Sequence, residues 1–173
     1  MNIILIGYRG SGKTTVGRLL AEQLWKTFVD VDDEICARFD NRTIADIFEN
    51  EGERAYRDVE CDVAVDLCSR DDHVIGLGGG TLGEVRARQA VEAADAVRVY
   101  LRCDPETLLE RISADNRSAA TRPNLTKLGG GIEEINAMLA KRQPIYEAVA
   151  DVVLDASDMT PPRIVEELVR HHL

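Results

Sequence analysis

The sequence predicts an α/β fold in which a central parallel sheet of about five strands is covered by helices on both faces, within a single domain over residues 1–173. Two observations carry this. Short apolar segments alternate with longer stretches of helical period. A glycine-rich octet, Gly7 to Thr14, follows the first apolar segment and opens the first helical stretch, as a strand-turn-helix unit requires.

In order, Asn2–Ile6 reads as the first strand and Thr14–Trp25 as the helix behind it. Phe28–Val31 is a second strand, followed by two helices, Thr43–Asn50 and Glu53–Cys68, that part at Gly52. His73–Leu77 precedes a helix over Gly83–Ala93, and Ala96–Leu101 precedes one over Asp104–Ile112. Asp151–Leu154 is the last strand and Pro162–His171 the closing helix. Helix starts are marked by Thr43 with Asp46 three residues on, by Asp104 before Pro105, and by Thr160 before Pro161. Residues 113–131 break the rhythm: polar, glycine-rich and carrying Arg117, Arg122 and Lys127, they read as a mobile loop.

Composition narrows the function classes. With 45% hydrophobic and 30% charged residues, the chain fits a soluble globular protein, and no apolar run reaches membrane-spanning length. A formal net charge of −10 opposes loose binding to nucleic acid or anionic lipid, so any anionic ligand needs positive groups gathered locally. The first residues lack a basic leader and run straight into the glycine motif, which argues against a signal peptide and for a cytoplasmic protein. Cys36, Cys61, Cys68 and Cys103 show no CxxC spacing and are expected as reduced thiols.

Gly7-Tyr8-Arg9-Gly10-Ser11-Gly12-Lys13-Thr14 meets every fixed position of the phosphate-loop pattern GxxxxGK[ST]. Gly10, Ser11 and Gly12 let backbone N–H groups converge on phosphate oxygens at the positive end of the following helix. Lys13 can bridge the β- and γ-phosphates of ATP, and the Thr14 hydroxyl can ligate Mg²⁺. Tyr8 and Arg9 occupy variable positions and receive no role.

A phosphate loop leaves switch, motor and kinase all open. Four further features discriminate. Asp30 and Asp32, spaced i, i+2 at the end of the second strand, are expected to face the ligand crevice together. One would hold hydrated Mg²⁺ and the other would take the proton or hydrogen bond of the accepting hydroxyl, the competing account being a helix cap by Asp32 or Asp33. Arg57 and Glu60 share a helix face, as a functional pair or as an ordinary exposed ion pair. Gly78, Gly79 and Gly80 follow a strand and permit close approach to its backbone. Arg122 lies on the mobile loop, where a cation can close over a transferring phosphoryl group, and Arg142, like Arg57, offers a planar fork to a carboxylate.

Taken together, Gly7–Thr15, Phe28–Asp32, Ile44–Phe48, Gly52-Glu53 with Tyr56-Arg57, Gly78–Gly80, Arg122-Pro123, and Arg142 with Pro144 and Tyr146 resemble the shikimate kinase family over nearly the whole chain. The resemblance implies a three-layer P-loop kinase fold with a central five-stranded parallel sheet, a lid near 113–131 and a helical substrate-binding region near 32–60. It implies transfer of the γ-phosphoryl of ATP to the 3-hydroxyl of shikimate with Mg²⁺, by a monomer. Carried over by motif, Lys13, Thr14 and Thr15 serve the nucleotide, with Thr14 on the metal and Asp30 reaching it through water. Asp32 meets the shikimate hydroxyls and is the candidate base, while Arg57 and Arg142 clamp its carboxylate. Glu60 orients Arg57, Gly78–Gly80 form a platform under the ring, and Phe48 and Tyr56 form an aromatic wall where Phe is commoner than Tyr. Arg122 is the lid arginine. Arg111 lies beneath the adenine, with Arg102 and Arg117 as neighbouring candidates, and Asp155 opens an adenine loop that ends at Pro161. Asn124-Leu125 departs from the family's usual pair of leucines, and Gly129–Gly131 gives the loop a loose far side. The rival readings are another small-molecule kinase of this fold, such as a gluconate or nucleoside-monophosphate kinase, and a nucleotide-dependent regulatory protein without turnover.

Overall fold

The computed structural model describes residues 1–115, 129 and 131–173. Five strands, β1 (Asn2–Ile6), β2 (Thr27–Asp30), β3 (His73–Gly76), β4 (Ala96–Arg102) and β5 (Val152–Asp155), form one sheet in the order β2-β3-β1-β4-β5. Every neighbouring pair is parallel. Parallel strands require crossovers, and the helices that make them cover both faces.

β1 shows how its side chains serve both layers. Successive residues point to opposite faces, so Ile3 and Leu5 enter one core while Ile4 and Ile6 enter the other. The first core receives helices α1 (Lys13–Leu24) and α7 (Pro161–His171), through residues such as Val16, Leu20, Ile164 and Leu168. The second receives α2 (Val31–Arg38) and α3 (Ile44–Cys68), through Ile35, Ile47, Val63 and Leu67. Helices α4 (Val85–Ala93), α5 (Pro105–Ala114) and α6 (Ile132–Val149) complete the layers among the described residues. No described helix is long and apolar enough to cross a membrane.

Of the three expected caps, Thr160 stands at the start of α7 without a side-chain bond and the other two form. Thr43 and Asp46 make a reciprocal capping box at the start of α3, and Asp104 accepts from the Thr107 N–H at the start of α5. The two helices expected over 43–68 part at Gly52 as anticipated, where φ 86° and ψ 161° break α3 into two halves. Two features differ from the favoured expectation. Helix α2 follows β2 directly, a helix that only the competing account of a cap by Asp32 or Asp33 had offered. The second strand also ends one residue early, because Asp30 caps α2 by accepting the Asp32 N–H at 3.1 Å. Asp30 and Asp32 therefore do not share a strand face, and neither Asp32 nor Asp33 is the cap.

Candidate active site

The loops after β1, β2 and β3 leave the sheet at the same edge because the strands are parallel, and the site is assembled there. In the first loop Gly10 and Gly12 have φ of 84° and 94°, a region in which a side chain is strained, and α1 then begins at Lys13. The Lys13 ammonium donates to the carbonyls of Gly7 (2.8 Å) and Tyr8 (3.0 Å), which folds it back over the loop. Ser11 is buried, whereas Thr14 and Thr15 face solvent.

Asp30 joins the first two loops. Its second carboxylate oxygen accepts from the Thr14 hydroxyl at 2.8 Å, so the two residues expected at a metal do meet. Burial and the neighbouring charge of Asp32 hold the Asp30 carboxyl above its usual range, with the Thr14 bond and Lys13 opposing. Such a carboxylate gains from a cation. No cluster of three or more His, Cys, Asp or Glu suited to a metal occurs among the described residues. The donor set of one hydroxyl and one carboxylate fits Mg²⁺, which keeps waters and shares nucleotide phosphates instead of filling a protein cage.

Asp32, in the first turn of α2, reaches the adjoining pocket. Its Oδ1 accepts from the Tyr56 hydroxyl at 3.3 Å. Arg57 donates to Glu60 at 2.6 Å, and the other Glu60 oxygen accepts from Thr81 at 2.7 Å. Glu60 is 1% exposed, so the account of an ordinary surface ion pair does not hold. Burial raises the Glu60 pKa, with Arg57 and Thr81 pulling it back. Thr81 and Arg57 thus fix Glu60 from two sides, and Glu60 fixes the guanidinium.

Gly78 and Gly80 make room for these same side chains, and Gly79 sits tightly against a third. A Cβ on Gly78 would stand 2.6 Å from a Glu60 oxygen, and one on Gly80 would stand 2.5 Å from Arg57 Nη1. On Gly79 it would lie 3.3 Å from Arg142 Nη1. The platform expected for a ligand is first a gap for the site's own polar groups. Tyr146, one turn past Arg142 on α6, donates to the Gly79 carbonyl, which ties the platform to the helix bearing the second arginine. Asp32, Arg57, Glu60, Gly79, Gly80 and Arg142 form the polar part of one pocket, and Ile44, Phe48 and Tyr56 the apolar part.

Arg9 also lines this pocket from the phosphate loop. The pattern GxxxxGK[ST] leaves position 9 free, and only the loop's path shows which way it faces. On the other side of the sheet, Arg111 donates to the carbonyls of Ala156 (3.0 Å) and Ser157 (3.1 Å), inside the segment expected to hold adenine. Asp155 accepts from Ser157 at 2.8 Å and from Arg102 at 3.1 Å. Those bonds pull its carboxyl below the usual range, the Ser157 bonds most. Arg111 and Arg102 therefore both organise this loop, and Asp155 shapes its turn. Arg117 and Arg122 lie outside the described residues.

The fold and the phosphate loop beside an acidic and cationic pocket define a P-loop kinase. The shikimate kinase family model matches residues 9–172. A shikimate kinase of Rhodopirellula baltica is 36% identical over 98% of this chain and 89% of its own length, and one of Nitrosococcus oceani is 37% identical over 98% and 85%. The solved shikimate kinase of Acinetobacter baumannii in complex with shikimate superposes with a TM-score of 0.89 at 32% identity, over 98% of this chain and 90% of that one. A gluconokinase from Sinorhizobium meliloti, at TM-score 0.62 and 19% identity, shares the fold. The chain belongs to the shikimate kinase family.

Proposed function

We propose that this protein transfers the γ-phosphoryl group of ATP to the 3-hydroxyl of shikimate, giving shikimate 3-phosphate and ADP. The observation that carries the reading is the convergence of Asp32, Arg57, Arg142 and the glycine platform on one pocket that opens onto the phosphate loop.

Arg57, oriented by Glu60, and Arg142 grip the acceptor's carboxylate, which leaves its ring against Phe48 and Tyr56. Asp32 receives the hydrogen bond of the attacking hydroxyl and takes its proton as the new O–P bond forms and the bond to the β-phosphate oxygen breaks. Lys13 and the N–H groups of Gly10, Ser11 and Gly12 stabilise the charge on the phosphate oxygens, with Thr15 beside them. Thr14 and Asp30 would hold Mg²⁺, which when bound offsets charge on the β- and γ-phosphates. Arg111 and Asp155 frame the nucleotide base, and Arg122 completes the charge around the transferred group as the sequence motif suggests. Catalysis on this reading is mostly positioning. We place the enzyme in the cytoplasm as a monomer.

The test is ADP release in a coupled assay with shikimate, quinate, gluconate and AMP offered separately. Turnover is expected with shikimate. Preference for gluconate or AMP would reassign the acceptor, and no turnover with any would favour a regulatory nucleotide binder.

A further inference from the structure

The ring of Tyr56 does work that a phenyl group would do equally well. It packs against Phe48 with centroids 4.8 Å apart and lies 5.3 Å from the guanidinium carbon of Arg57. Its hydroxyl does something else, donating to Oδ1 of Asp32 across 24 residues of sequence. Tyr56 is 4% exposed, and burial, with the charges of Asp32 and Glu60, drives its pKa upward, so it stays the donor at any working pH. The same Oδ1 of Asp32 lies 3.1 Å from where a Cβ on Gly78 would stand. The carboxylate is thus bounded by the platform on one side and bonded to Tyr56 on the other.

A carboxylate turns about its Cβ–Cγ bond, and that rotation decides which lone pairs face the acceptor hydroxyl. We propose that Tyr56 is a positioning residue of the transfer step, its hydroxyl fixing the rotation of the Asp32 carboxylate so that it meets the attacking hydroxyl in line. The inference rests on the reading of Asp32 as the group that receives that hydroxyl. Misaiming an acceptor costs rate more than affinity.

The experiment compares the wild type, Tyr56→Phe, Asp32→Ala and the double variant in steady-state turnover of ATP and shikimate, with melting temperatures to check folding. Tyr56→Phe is expected to lower kcat by roughly 5- to 30-fold, with KM for ATP and for shikimate within about threefold. In the Asp32→Ala background, adding Tyr56→Phe is expected to change kcat by less than about twofold, because no carboxylate remains to aim. A wild-type kcat in Tyr56→Phe overturns the proposal. So does a raised KM for shikimate at unchanged kcat, which would place the hydroxyl on the acceptor itself, and so does an equal loss in both backgrounds, which would mean packing. Wild-type kcat in Asp32→Ala would instead remove the underlying reading of Asp32.

Discussion

At the scale of single residues, the proposed mechanism separates groups that bind from groups that act in the transition state, and substitutions should divide in the same way. Asp32→Asn keeps shape and removes the charge that draws the acceptor's proton, so kcat should fall roughly 10²- to 10⁴-fold with KM for ATP nearly unchanged. Steady-state kinetics at saturating ATP check this, and undiminished turnover would take Asp32 out of the mechanism. Arg142→Lys retains charge but loses the planar fork beside Gly79. It should raise KM for shikimate about tenfold or more while KM for ATP moves little, and an equal rise in both would assign Arg142 to the nucleotide. The residue types at these positions were legible in the sequence, because a charge type at a fixed spacing is a chemical statement. Their contacts were not. Arg9 occupies a variable position in the motif, and the Thr81–Glu60 and Tyr146–Gly79 bonds join residues whose separation no local pattern encodes.

At the scale of elements, helix α3 is bent for a purpose that its sequence states only in part. Gly52 was readable as a break, but the kink directs Ile44 and Phe48 of the first half onto the pocket that Tyr56, Arg57 and Glu60 of the second half line. At φ 86° and ψ 161° only glycine is unstrained, and a Cβ there would meet nothing within 4 Å, so the cost of Gly52→Ala lies wholly in the backbone. That cost is about 1–3 kcal/mol, a fall in melting temperature of roughly 2–12 °C for a chain of this size. Part of the strain is relieved by straightening α3, which draws Ile44 and Phe48 away while Thr81 keeps Glu60 in place. KM for shikimate should therefore rise several-fold and KM for ATP should not, as thermal melts and initial rates would show. Unchanged melting and kinetics would mean that the kink is dispensable. The strands were legible from apolar runs and the caps of α3 and α5 from their side chains. Helix α2 was legible only as the competing account and with its cap misplaced at Asp32 or Asp33, since it has eight residues and its cap, Asp30, also ends a strand, so one residue carries two signals.

At the scale of the whole molecule, the sheet order follows from the βαβ rhythm, and it gathers the loops after β1, β2 and β3 at one edge. On the proposed reading, the nucleotide and acceptor sites are carried by different parts of the framework, as the separate substrate-binding region near 32–60 implied by the family resemblance anticipates. The phosphate loop belongs to β1 and α1, with Arg111 on α5, whereas the pocket proposed for the acceptor draws mainly on α2, α3, the glycine turn and α6. Each ligand should then stabilise the fold by its own mass-action contribution. At 100 times its dissociation constant, a ligand that binds only the folded state adds about 2.7 kcal/mol, or roughly 5–11 °C in melting temperature for a domain of this length. Lys13→Ala removes the ammonium that the proposed mechanism places on the phosphates but leaves Arg57 and Arg142 in place. Its melting temperature should no longer respond to Mg-ATP at that concentration, while the shift produced by shikimate persists. Arg142→Lys should show the reverse pattern, losing most of the shikimate shift and keeping that of Mg-ATP. Differential scanning fluorimetry with each ligand alone measures both. If either substitution abolished both shifts together, the two sites would form a single cooperative unit, and the division of labour between the two halves of the sheet edge would be wrong.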